Sequence, residues 1–257
     1  MSALTHWILD RDRTSLRLSA TLLLAGQLLY ILVTQFHAGG EANNHPAIFA
    51  EYARSDSWTA VHVGQFVAMA MVIAGLLAFS FALDVRARGA AWAARLGAAS
   101  AAVALALYGV LQAVDGVVNK QVDDAWVSAP AAEKTARFAS AEAMRWLEWG
   151  VRSYQDFALG LALLLFAAAV LRTAGVPRAI AYLMGLSGVT YLVQGWVVGT
   201  EGFSGTHTTL ILLAWVLSLA WMIWLVVVAR RGQSSEARRP ADEGVGRPAA
   251  TSITQGV

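Results

Sequence analysis

Imidazoles and carboxylates are the side chains in this sequence with reach for chemistry, and they are unevenly placed. Of five histidines, His37, His45, His62 and His207 fall at the same end of the long apolar blocks, and Glu41, Asp115, Glu148, Asp156 and Glu201 fall at similar depth. Together such groups bind Zn or Fe, or relay protons. Spacing alone does not choose between these. His37, Glu41 and His45 are four apart, yet Gly39, Gly40 and Pro46 argue against one helix displaying all three, and no H-E-x-x-H is present. His62 stands about one turn inside its apolar block, deeper than His37 or His45, with Gln65 three residues on. It is therefore the first expected ligand of a divalent metal such as Zn or Fe, with His207, Asp115 and Glu148 completing the set. The alternative is interfacial histidines that each find a hydrogen-bond partner.

A second group of polar residues enters the fourth apolar block. In Ala141-Glu-Ala-Met-Arg-Trp-Leu-Glu-Trp-Gly-Val-Arg-Ser-Tyr-Gln-Asp-Phe157, Arg145, Glu148, Arg152 and Asp156 share one helical face. Glu148 with Arg152 and Arg152 with Asp156 are i,i+4 pairs of opposite sign. Such a stripe is costly in a membrane unless it meets partners or water, which marks a functional site. Arg152 is expected to pair with Glu148 or Asp156 on its own helix and with Asp115 across the bundle. The odd-numbered blocks each run outward through Tyr, Gln and an acid: Tyr30, Gln35, Glu41; Tyr108, Gln112, Asp115; Tyr191, Gln194, Glu201. The even blocks open on His62 and Gln65, Arg152 and Gln155, and His207. If this faint hairpin repeat is real, Gln65, Gln112, Asp115, Glu148, Arg152, Gln155, Asp156, Gln194 and Glu201 line a polar pocket. The other reading is that these residues decorate helix ends, where polarity costs little.

The elements that must position these residues follow from hydropathy. With 57% hydrophobic and 14% charged residues, the chain is too apolar for an ordinary soluble domain. Six blocks, at about 16–36, 60–83, 96–118, 151–171, 179–200 and 207–229, approach or exceed the ~20 apolar residues that span a bilayer. The expected fold is all-α: six transmembrane helices over residues 16–231, after a polar segment 1–15 and before a disordered tail 232–257 rich in Ser, Arg, Pro and Gly. Short helices are expected in the first two external loops, from Pro46 to Arg54 and over 131–149, the latter bending near Gly150 into the fourth span. Ser57 or Asp56 caps the second span and Trp58 sits at belt height. Gly195-Trp-Val-Val-Gly199 suits close helix packing within the chain. No span carries the clear Gly/Pro interruption of a broken transporter helix. Thirteen of nineteen basic residues, including Arg11, Arg13, Arg17, Arg86, Arg88, Arg95, Arg172 and Arg178, lie on one side. The positive-inside rule then places both termini in the cytoplasm and the chain in the inner membrane.

The formal charge of +2 and the lack of a basic stripe argue against nucleic acid as a partner, and the absence of cysteine excludes thiolate and Fe–S chemistry. Asn44-His-Pro46, Asp56-Ser-Trp-Thr-Ala-Val-His-Val-Gly-Gln-Phe66, Arg145-Trp-Leu-Glu148 and Val198-Gly-Thr-Glu-Gly-Phe203 resemble an uncharacterised family of small six-span bacterial membrane proteins, a domain of unknown function. The resemblance covers most of the chain except the tail. It implies the six-span topology and transfers no catalytic role. Three functions stay open: binding or passing a small polar or amphipathic ligand, a metal-dependent membrane enzyme at an external His/acid site, and a structural or partner-binding membrane subunit. Whether the chain is an enzyme is not decided by these residues.

Overall fold

The computed structural model describes residues 3–83 and 87–236. Its helices are α1 (Ala3–Thr34), α2 (His45–Arg54), α3 (Trp58–Ala82), α4 (Arg88–Ala113), α5 (Lys120–Val127), α6 (Lys134–Val170), α7 (Arg178–Glu201) and α8 (Gly205–Glu236). A π segment, Val114–Asn119, joins α4 to α5 without a break. Among the described residues there is no strand. Six helices are long and apolar enough to cross a membrane, so the chain is an all-α, multi-pass membrane protein. Of the tail expected to be disordered over 232–257, residues 232–236 continue α8 as helix, and 237–257 lie outside the described residues, as does the basic Arg86.

The six long helices close a ring in the order α1, α3, α4, α6, α7, α8, with α8 returning to α1. Outward faces carry Leu32, Phe81, Val103, Leu161 and Val216, all more than a third exposed and suited to hydrocarbon. Small residues set the closest approaches. A Cβ on Gly160 would meet the Gly188 main-chain oxygen at 2.7 Å, and one on Gly195 would meet the Ser153 oxygen at 2.7 Å. The G-x-x-x-G stretch therefore packs α7 onto α6 within the chain. Ser153 strengthens that seam by donating from Oγ to the Gly195 oxygen at 2.7 Å.

At the end of the ring that carries α2 and α5, the structure departs from the sequence expectations in three ways. First, α6 runs unbroken through Gly150, where an added Cβ would meet nothing within 4 Å. A lone helical glycine costs only ~1 kcal/mol, too little to bend a 37-residue helix that packs along both flanks. Second, the third membrane helix stays continuous but is wound as a π turn around Asp115, a local widening that the sequence did not mark. Third, Trp58 is buried rather than at belt height, and Ser57, the N-cap of α3, makes no side-chain capping bond. The short α2 forms as expected, with Asn44 capping it through Oδ1 to the Ala47 amide at 3.4 Å. Its Ile48, Phe49 and Tyr52 are buried, while Arg54 and Glu51 pair at 2.7 Å on the exposed side.

Candidate functional site

A cavity of about 340 Å³ opens inside this end of the ring. Helices α1, α3, α4, α6 and α8 all contribute to it, with α2 and the 38–42 loop above. Its polar lining includes His37, Gln65, Gln112, Asp115, Glu148 and Arg152, and Ile211, Leu212 and Trp215 of α8 add apolar lining.

Asp115 is placed by the π segment and by its neighbours on α3. The Trp58 indole Nε1 donates to the main-chain oxygen of Asp115 at 2.8 Å, where the π turn shifts the helical ladder. Gly116 lets α3 come close, since a Cβ there would lie 2.6 Å from the Cβ of His62. Asp115 Oδ1 accepts from Asn119 Nδ2 at 3.3 Å, and its Oδ2 lies 3.0 Å from His62 Nε2 and 3.9 Å from His37 Nε2. One donor atom from each of His37, His62 and Asp115 lies within 4.8 Å of the others. His62 Nδ1 donates to the Trp58 oxygen at 2.7 Å, and His37 Nδ1 donates to the Ala38 oxygen at 2.7 Å.

Above this group, Arg145 ties the loops together. Its Nη1 donates to Glu148 Oε2 at 2.7 Å and to the Tyr52 hydroxyl at 3.2 Å, and its Nη2 donates to the Ala42 oxygen at 3.2 Å. The guanidinium also lies over the Phe203 ring, 4.6 Å from its centre. Burial holds the Tyr52 phenol well above its usual pKa, so it serves as a neutral hydroxyl beside this ion pair. Deeper in the cavity, Arg152 Nε donates to Asp156 Oδ2 at 3.1 Å, and Nη1 reaches the Tyr30 hydroxyl at 3.5 Å.

The charged stripe thus splits into two separate pairs. Glu148 turns back to Arg145 at i,i−3 and also accepts from Asn119 at 2.7 Å, while Arg152 takes Asp156. The expected pairing of Arg152 with Asp115 does not form; Asp115 faces the two histidines instead. Of the residues expected to line the pocket, Gln65, Gln112, Asp115, Glu148 and Arg152 do so. Asp156 sits behind Arg152, and Gln155 and Gln194 are buried away from the cavity lining. Glu201 ends α7 and braces the loops: its main-chain oxygen accepts from Asn43 at 2.8 Å and its carboxylate from Ser204 at 3.2 Å.

Of the four residues expected to hold metal, His62 and Asp115 come together, whereas His207 and Glu148 stand apart from them. His207 lines the cavity against Phe203, ring centres 5.2 Å apart, and its Nε2 meets no hydrogen-bond partner. Glu148 Oε2 is taken by Arg145 and Asn119, and the same Asn119 amide links it to Asp115. His37, which looked like a shallow loop residue, takes the third place. Tyr52 and Trp58 were also missed; each is ordinary in sequence and acquires its role by reaching another element.

No family model, curated protein or solved structure matches this chain.

Proposed function

We propose that this is an inner-membrane protein, both termini cytoplasmic, whose outer half binds a small ligand with a polar head and an apolar body. The observation that carries the reading is the cavity's mixed lining. His37, Gln112, Asp115 and Arg152 offer charge and hydrogen bonds, and Ile211, Leu212 and Trp215 offer apolar surface. Within that space Gln112 Oε1 and His207 Nε2 have no protein partner, a state that a ligand or water would relieve. A volume of about 340 Å³ lies in the range of small-molecule sites. The basic residues at the opposite end of the spans support the orientation.

Filling the cavity tests the reading. Protein purified in mild detergent is denatured, and the small molecules it releases are identified by mass spectrometry, for the natural chain and for Ile211→Trp. A compound carried by the natural chain and absent from a folded Ile211→Trp variant is the expected result. An identical set of released molecules from both would reject ligand binding in this cavity.

A further inference from the structure

We propose that His37, His62 and Asp115 form a binding site for one divalent transition-metal ion of the zinc and ferrous-iron class, with its remaining coordination positions open to the cavity. The argument begins with the protons. A carbonyl oxygen only accepts, so the 2.7 Å contacts from His62 Nδ1 to Trp58 and from His37 Nδ1 to Ala38 require a proton on each Nδ1. Each neutral ring then presents a bare lone pair at Nε2. Both Nε2 atoms point at Asp115 Oδ2, which as a carboxylate also only accepts.

With both rings neutral, three acceptors converge with no donor between them, whereas a ring protonated at Nε2 as well would donate to the carboxylate instead. His62 is 2% exposed, and its Nε2 has no hydrogen-bond donor to meet. A proton on one ring would satisfy a single imidazole–carboxylate pair and leave the other lone pair unanswered. A metal ion answers all three at once. Donor atoms around one tetrahedral or octahedral ion with bonds near 2.0–2.2 Å stand roughly 3.0–3.5 Å apart. The 3.0 Å separation already has that spacing, and the other two, 3.9 Å and at most 4.8 Å, would close as the His37 ring moves in.

The surroundings have the form of a metal site's outer shell. Each histidine's far nitrogen is held by a main-chain carbonyl, and the second carboxylate oxygen of Asp115 is held by Asn119. Trp58 orients two ligands together: its carbonyl takes the His62 proton, and its indole holds the Asp115 main chain. Two imidazoles and one carboxylate suit zinc and ferrous iron, and three protein ligands leave positions free for water or a ligand head. His37 and Asp115 both line the cavity, so those positions face into it.

The test uses untagged full-length protein, stripped with chelator and titrated with Co2+ alone, followed by the visible absorption of the bound ion. Zinc and iron carried through purification are measured in parallel. One equivalent of Co2+ is expected for the natural chain, with affinity reduced about a hundredfold or more in His37→Ala, His62→Ala and Asp115→Asn. His45→Ala serves as the control and should bind as the natural chain does, because His45 pairs with Glu142 at 3.0 Å outside the cluster. If His62→Ala does not fold, His37→Ala decides alone, since that ring is 22% exposed and lies in the loop after α1 rather than inside a helix. Absence of a cobalt spectrum from the natural chain would overturn the proposal. So would binding that survives His37→Ala, or that falls as far in His207→Ala. The site and the cavity's ligand fail separately: metal bound without any released compound rejects only the ligand, and the reverse result rejects only the metal.

Discussion

Arg145 and Arg152 show how a buried charge is made tolerable one residue at a time. Each guanidinium meets a carboxylate on its own helix and then a phenol on another, Tyr52 for Arg145 and Tyr30 for Arg152. Arg145 is 1% exposed and Asp156 fully buried, so removing one partner strands the other away from water. Such a loss costs about 3–5 kcal/mol, whereas removing both leaves no lone charge. Arg152→Ala and Asp156→Ala should each lower the Tm in detergent strongly, and the double variant by clearly less than the sum. Arg152→Ala combined with Asp115→Ala should instead be additive, because Asp115 is turned to the histidines. Strong coupling in that second cycle would contradict the pairing described above.

Between helices, glycine decides where two elements touch. Gly116 and Gly150 are both helical, yet their surroundings differ completely. A methyl on Gly116 would be driven into His62 of α3, whose Cβ cannot swing aside as the end of a flexible side chain would. Gly116→Ala is therefore expected to cost about 1–3 kcal/mol by overpacking and to displace the π segment that carries Asp115. Gly150 faces open space, so Gly150→Ala should raise stability by about 0.5–1 kcal/mol through helix propensity alone. Thermal melts of the two variants, compared side by side, check both signs. Stabilisation by Gly116→Ala would mean that α3 and the π segment are not in this close contact.

For the whole molecule, the ring of six helices encloses the cavity at the end that carries α2 and α5, and the side of the membrane on which it opens follows from the orientation. The arginine distribution predicts that the end bearing α2 and α5 is external. Because the chain has no cysteine, single cysteines at Glu41, Ala131 and Thr206 report on that end, and one at Gly89 on the other. All four positions are exposed. A membrane-impermeant thiol reagent on intact cells should label the first three and spare Gly89. Labelling of Gly89 alone would invert the topology and place the cavity in the cytoplasm.

The sequence alone determined the six spans, the short helix after Asn44 and the charged face of α6, because each rests on local composition or on a period of 3.6 residues. That Glu148 and Asp156 would serve arginines was legible for the same reason, since side chains three or four apart on a helix must meet. Which arginine Glu148 would take was open, as Arg145 and Arg152 lie three residues before it and four after. Only the tertiary structure selected Arg145, by bringing Asn119, Tyr52 and the Ala42 carbonyl around it. The π segment at Asp115 had no local signal either: the same residues read equally well as ordinary α-helix, and Trp58 reaching the Asp115 oxygen comes from another span. His37 was the residue least open to inference. It follows the end of α1 in a glycine-rich loop, where no periodicity aims a side chain. Its ring is set beside His62 by the packing of Tyr52 and Trp58 around it, with ring centres 5.8 and 4.9 Å away. His207 had the better helical address, but α1 lies between α8 and α3 in the ring, and His207 is not among the residues whose donor atoms gather at Asp115.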